Sequence, residues 1–538
     1  MGLYGVTVLN YIFSERRVMC KSFSHYNRNF MTQNVICILI TIVLYLIMMI
    51  IIGIKFSKQN NDVGDFYLGG RKLGPIVTAM SAEASDMSSY LLMGLPGLAY
   101  LAGCAEVGWT IIGLAVGTYL NWLIVAKKLR NYSARIGAIT IPDYFSLRYK
   151  DNKKILMALA ALIIIVFFVP YTASGFSACG KLFGTLFGID YHIAMVVSAI
   201  IIVGYTSLGG FTAASVTDLI QSIIMTIALI IVLVFGVAKA GGIGAVMDNA
   251  QQLNGYLNLF TVRHDEGNTS TGFGIISIVS TLAWGLGYFG MPHILLRFMA
   301  IENPAKVKTS RRVASVWVVI SMFIALAIGI VGRGMVASGA LGKFDDSETI
   351  IIQISNVLSQ EGIAPALIAG VILAGILAST MSTSDSQLLA ASSSASENLL
   401  GGLFGLKLSE TAKMIVARVT LVVISVIGVI IAWDANSSVF GIVSFAWAGF
   451  GAAFGPVVLL SLFWKRSNLY GAIAGIFAGG LMVFLWKFVI SGLSPVLNIY
   501  ELLPAFLTGL VANVVVSLCT KKPDDEIVGT FDEVKKMK

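Results

Sequence analysis

Glu83 and Asp86 stand three residues apart inside SAEASDMSSYLLMGLPG (residues 81–97), among Ser81, Ser85, Ser88 and Ser89, in an otherwise apolar region. On a helix Glu83, Asp86, Met87 and Tyr90 follow an i, i+3, i+4, i+7 spacing and share one face. A second patch, AGILASTMSTSDSQLLAASSSASE (374–397), crowds Ser379, Thr380, Ser382, Thr383, Ser384, Asp385 and Ser386 into two turns. Carboxylate, hydroxyl and carbonyl oxygens of this kind are the ligands of hard cations such as Na+. A third stretch, STLAWGLGYFGMPHILLRF (280–298), carries Gly285, Gly287, Gly290 and Pro292, with Trp284 and Tyr288 four residues apart. Aromatic rings beside a broken backbone can wall a small pocket. Each patch also has a plain structural reading. Acids and hydroxyls can serve as interhelical hydrogen-bond glue, and aromatics at this spacing can simply pack. Weaker signals are Asp218 and Gln221 one turn apart in LGGFTAASVTDLIQS, and Tyr171 in FFVPYTASG, bent by Pro170 and Gly175.

The elements that must position these residues are membrane spans. The 538-residue chain is 57% hydrophobic and 12% charged, against about 25% charged in an ordinary soluble domain. Its mean hydropathy is +0.85. Apolar segments of about 20 residues, enough to cross a hydrocarbon core about 30 Å thick, recur along it. The pattern predicts an all-α polytopic membrane protein with thirteen spans, at 34–55, 73–103, 106–126, 155–179, 191–209, 214–238, 272–296, 314–338, 364–395, 411–433, 438–464, 468–486 and 499–519. A transmembrane barrel would show short alternating segments instead. A charged side chain at mid-bilayer costs about 2.5–3.5 kcal/mol on insertion scales, so Glu83, Asp86 and Asp385 are expected to face a cavity or a partner.

Charge sets the orientation. The loops after odd-numbered spans, with their flanking span ends and the carboxy-terminal tail, hold 26 Lys and Arg, counting Arg297 among them. The loops after even-numbered spans hold 6. That bias places the carboxyl terminus in the cytoplasm and the start of the first span outside. Residues 1–33, with Arg16, Arg17, Lys21 and Arg28, break the pattern and lack the core of a signal peptide. They read either as a tail or as residues preceding a native start near Met31. The end, Lys521–Lys538, alternates acid and base and reads as a solvated tail. The net charge of +9 is explained by orientation and does not call for nucleic acid. Five scattered cysteines and four isolated histidines point to neither a disulfide framework nor a metal-ligating cluster.

The interrupted spans, second and seventh, are five apart, the layout of a secondary transporter built from inverted repeats. No GxxxxGK[ST] phosphate loop is present, so ion coupling is the expected energy source. An intramembrane enzyme would need a nucleophile–base pair or a motif such as HExxH, which the sequence lacks. A sensor built on the same fold would add a soluble signalling domain, and the tail after Thr520 is too short to fold alone.

DFYLGGRKLG, SAEASDMSSYLLMGLPG, IPDYFSLRYKD, AWGLGYFGMPHILLRFMA and VSFAWAGFGAAFGPVVLLSLFW resemble, in this order, the sodium/solute symporter family, most closely its proline branch. The resemblance runs from about Asn34 to the end of the last span. It implies thirteen helices around a LeuT-like 5+5 inverted-repeat core (about 73–238 and 272–464) and Na+-coupled uptake of L-proline across the cell membrane by alternating access. Another small amino acid or a betaine-like solute, and proton coupling, are the alternatives within that mechanism. Na+ is the implied coupling ion, held by the carbonyls of Ala84, Met87 and Ser379 and the hydroxyls of Ser382 and Thr383, with Asp86 required for its use. Asp218 matches a second or transient Na+ position, and Arg71 an arginine tied to coupling. The implied substrate pocket uses Ser88, Tyr90, Tyr171, Trp284, Tyr288 and Pro292. The chain departs from the branch at Tyr90, where a Trp is usual, and at Ser89 and Glu83, where Gly is usual. Glu83 is expected to neutralise a cation, pair with Asp385, or titrate. The implied partners are the small solute and the lipid bilayer, with no obligate protein partner.

Overall fold

The computed structural model describes residues 33–57, 63–264, 268–406 and 409–537. Residues 1–32 of the expected amino-terminal tail lie outside them.

The long helices follow the apolar segments: α1 Gln33–Ser57, α2 in two halves (Pro75–Ser89 and Leu95–Ala102), and α3 Cys104–Leu120, which runs through a π-helical turn into Ala126–Arg135. Next come α4 Ile155–Phe187, α5 Tyr191–Gly204 and α6 Gly210–Lys239. The seventh, α7, is again split (Ile275–Leu282 and Pro292–Ala300). Then follow α8 Val307–Ala337, α9 Ile363–Ser393, α10 Glu410–Ile431, α11 Val439–Phe463, α12 Leu469–Phe488 and α13 Leu502–Cys519. The carboxy-terminal α14 spans Asp525–Lys536. The described strands, Thr261–His264 and Thr269–Gly272, form a hairpin between α6 and α7.

Among the described residues, ten helices are long and apolar enough to cross a membrane, or eleven with the bent pair of α7 taken as one, so this criterion does not confirm the count of thirteen. The two expected spans outside that criterion are α2, whose acids and serines dilute its apolar content, and α5, which is short. Gly210, at φ 70° and ψ −178°, separates α5 from α6 inside what is otherwise one continuous helical run. Only glycine takes that backbone region at little cost.

α9 and α11 lie innermost, while α1, α10 and α12 leave large apolar side chains such as Leu44, Val423 and Phe477 exposed around the rim. Such faces suit lipid. Where α3 crosses α7 the backbones nearly touch: a Cβ on Gly117 would fall 2.4 Å from Gly285. Small residues permit this approach, and it brings Trp284 into the centre of the bundle.

Two expectations change. Arg297, counted with the cytoplasmic loops, is buried, because α7 continues to Ala300 rather than ending at 296. The carboxy-terminal tail is not solvated throughout. Ile527, Phe531 and Val534, at i, i+4, i+7, form an apolar stripe that docks α14 against the Ala126–Arg135 extension of α3.

Candidate functional site

α2 breaks at Ser88, whose φ of 44° and ψ of −167° take it out of the helix. Its hydroxyl accepts the amide of Tyr90 at 3.1 Å, a local bond that competes with helical pairing. A π-helical turn at Tyr90–Gly94 follows, and Pro96 removes one more backbone donor. The break therefore falls a turn and a half before the Gly94–Pro96–Gly97 cluster that signals it in sequence. Side chains from other helices take up the carbonyls beside it. Ser382 donates its hydroxyl to Ala84 O at 2.9 Å and to Ser379 O at 3.1 Å, and Thr383 donates to Ser379 O at 3.1 Å. Tyr171 donates to Asp86 O at 3.1 Å. Four of the five oxygens expected to hold Na+ thus share one chain of bonds between α2 and α9. Met87 O lies on the same broken turn, facing the Tyr90 amide.

The Asp86 carboxylate is buried and accepts the Tyr288 hydroxyl at 2.7 Å on Oδ2, while Oδ1 has no hydrogen-bond partner among the described residues. Asp86, Met87, Tyr90, Leu114, Tyr171, Trp284, Val443 and Trp447 line a small central cavity. Tyr90 stacks on Trp284 with centroids 5.5 Å apart, and Trp284 stacks on Tyr500 at 4.9 Å. Trp447 donates its indole N–H to Trp284 O at 2.8 Å and meets Tyr288 edge-on. Ser88, Tyr288 and Pro292 do not line this cavity. Ser88 shapes the break, Tyr288 reaches it through Asp86, and Pro292 opens the second half of α7. Trp447, Val443, Leu114 and Tyr500 were not singled out from sequence, although FAWAGFG carries the signal for the first.

Phe440, 5.5 Å from Tyr90 between ring centroids, stands between this cavity and a larger vestibule of about 340 Å3 that it also lines. Glu348 anchors Phe440 there. Its carboxylate accepts the amides of Val439 and Phe440 at 3.0 Å and pairs with Lys181 at 2.7 Å. Burial pushes the Glu348 carboxyl up, but Lys181 and these amides outweigh it and hold it below the usual glutamate range. The pairing is thus present above the ordinary glutamate pKa and is lost as pH falls through the lowered value. Glu348→Gln, which removes the charge, is expected to speed hydrogen exchange of the Val439 and Phe440 amides about tenfold or more, given about 1.5–3 kcal/mol for a charged hydrogen bond. Unchanged exchange by mass spectrometry would refute that anchoring.

The remaining expected residues separate. Glu83 turns toward α3, accepting Trp122 Nε1 at 3.0 Å and Thr118 Oγ1 at 3.2 Å, so it does not pair with Asp385. Asp385 accepts the Thr206 hydroxyl instead. Asp218 forms a buried ion pair with Arg297 at 3.1 Å and accepts Ser81 Oγ at 2.7 Å. Arg297 also reaches Ser386, tying α2, α6, α7 and α9 together. Arg71, itself left-handed at φ 57°, donates to Met299 O at 2.7 Å and Ser133 Oγ at 3.0 Å, anchoring the chain before α2 to α7 and α3. Burial and neighbouring Arg130 hold its guanidinium down to about 10, still charged at neutral pH.

The model of the sodium:solute symporter family matches residues 66–479. The high-affinity proline transporter PutP of Bacillus subtilis is 40% identical over 492 residues, 90% of this chain and 98% of its own length. The sodium/proline symporter of Haemophilus influenzae is 40% identical over 509 residues, 93% and 97% of the two chains. The osmoregulated proline transporter OpuE of Bacillus subtilis is 38% identical over 93% of this chain and 98% of its own. A solved structure of a Na+-coupled sialic acid symporter, 19% identical, superposes with a TM-score of 0.74 over 91% of this chain and 99% of that one, which shows a common fold. The chain belongs to the sodium:solute symporter family.

Proposed function

We propose that this chain couples the entry of Na+ to the uptake of L-proline across the cell membrane, with its carboxyl terminus in the cytoplasm. The observation that carries the reading is the bond from Ser382 to Ala84 O across the broken helix. A helix interrupted at Ser88 leaves carbonyls that α9 hydroxyls now satisfy, and a hard cation would draw both sets onto itself. The carbonyls of Ala84, Met87 and Ser379 and the hydroxyls of Ser382 and Thr383 hold the ion, and Asp86 supplies the compensating charge. Arg71 keeps the start of α2 attached while its second half moves.

Proline binds against Tyr90, Tyr171, Trp284 and Trp447. Tyr90 lines the cavity and its buried hydroxyl has no hydrogen-bond partner among the described residues, so we assign it as the group that meets a polar atom of the solute. Ser88, Tyr288 and Pro292 act behind that surface, by fixing the broken backbones and Asp86. Phe440 and Trp284 must part for the solute to enter from the vestibule. With the ion and solute in place the core closes outward and opens inward, driven by about 2.3 kcal/mol per charge per 100 mV together with the Na+ gradient.

Uptake of labelled proline into proteoliposomes, under an inward Na+ gradient with a matched K+ control, tests the reading. Na+-dependent uptake competed by unlabelled proline supports it. Na+-driven uptake of a different solute keeps the ion and moves the substrate, with Tyr90→Trp as the variant expected to restore proline. Ser382→Ala and Thr383→Ala are each expected to raise the Na+ concentration for half-maximal uptake about tenfold. Trp284→Ala is expected to raise the proline requirement instead. Unchanged kinetics in both classes would remove the site assignment.

A further inference from the structure

Three lysines gather where the cytoplasmic ends of two spans meet the carboxy-terminal helix. Lys127 and Lys128 stand on the extension of α3 and Lys535 on α14; with Leu462 and Phe463 of α11 and Phe531 they line a groove of about 320 Å3. The Lys128 ammonium lies 3.7 Å from the centroid of the Phe463 ring. Among the described residues no carboxylate lies within 4.0 Å of any of the three ammonium groups. Of the four acids of α14, Glu533 pairs with Arg135 at 3.0 Å and Glu526 with Lys150, while Asp525 and Asp532 form no ion pair with the three lysines. Like charges gathered around one concavity repel unless an anion sits between them.

The groove is half apolar, and its apolar side faces outward. Phe463 is 43% exposed and Leu123, one turn before Lys127, is 44% exposed. A free inorganic anion would gain nothing from that side. A phospholipid would gain from both, its phosphate among the ammonium groups and its acyl chains along the exposed rings and aliphatics. Basic pockets between membrane helices on the cytoplasmic side suit anionic headgroups in this way. We infer that this groove binds the headgroup of an anionic phospholipid, which joins α14 to the cytoplasmic ends of α3 and α11. Because α14 supplies both Phe531 and Lys535, the lipid binds the docked arrangement and stabilises it by mass action. The inference rests on the membrane orientation and is independent of which solute or ion the chain carries.

The test is native mass spectrometry of the full chain in mild detergent, supplied with equal amounts of phosphatidylcholine and phosphatidylglycerol. The wild type is expected to retain one phosphatidylglycerol in preference. Affinity is expected to fall about fivefold for each lysine removed, with K127Q/K128Q/K535Q abolishing the preference. Lys535→Gln alone, at an exposed position, keeps the test valid where the triple variant fails to fold. Inorganic phosphate at equal concentration is expected to leave the lipid in place. Equal retention of the two lipids by the wild type, undiminished retention in Lys535→Gln, or displacement by phosphate would each overturn the assignment.

Discussion

Asp86→Asn is expected to abolish Na+-driven proline uptake while leaving the chain folded. The substitution keeps the shape of the side chain and an acceptor for the Tyr288 hydroxyl, which Asp86 Oδ2 takes at 2.7 Å. It also keeps the backbone carbonyl that Tyr171 meets at 3.1 Å. What it removes is a negative charge in a fully enclosed position. At an effective dielectric of about 20, a charge about 5 Å from a cation contributes about 3 kcal/mol, or roughly two orders of magnitude in Na+ affinity. Proline binding to purified protein should lose its dependence on Na+ at concentrations that saturate the wild type. If Na+ still stimulates binding with the same half-saturation, Asp86 is not the compensating charge.

Arg297→Met should produce the largest loss of stability among single substitutions of the site. Arg297 and Asp218 are 1% and 0% exposed at their side chains and lie 3.1 Å apart. Removing one partner of such a pair strands the other, at a cost of about 3–5 kcal/mol, whereas replacing both is often nearly neutral. The double variant Asp218→Asn/Arg297→Met is therefore expected to unfold at a higher temperature than Arg297→Met alone. Thermal unfolding of the detergent-solubilised wild type, both single variants and the double variant gives the coupling between the two positions. Additive effects would show that the pair is not the unit of stabilisation. The same pair gives Asp218 a fixed internal counter-charge, so a cation reaching Asp218 must compete with a guanidinium already bonded to it.

Glu83 illustrates how composition alone can mislead about partners. An extra acid beside Asp86 invites pairing across to Asp385, yet its bonds go to Thr118 and Trp122 on α3. The two acids are one turn apart on one helix, but that turn carries them toward different neighbours.

Much of this protein is written locally. The apolar lengths set most of the spans, because crossing hydrocarbon demands about 20 such residues and internal backbone pairing. Polar groups that lipid cannot tolerate marked the second and ninth spans, and Gly and Pro marked the interruptions of the second and seventh. Family motifs carried the remainder of the reading, including the expected ion ligands. Other features were decided only by packing. Ser88, rather than the Gly94–Pro96–Gly97 cluster, became the break because bonds from Ser382 and Tyr171, from helices distant in sequence, hold the backbone there. Arg297 became a core residue rather than a loop cation because Asp218, 79 positions earlier, lies within reach. Phe440 closes the cavity because Glu348, 92 positions before it, accepts its amide. Helical periodicity states which residues share a face. Only the assembled bundle states what each face meets.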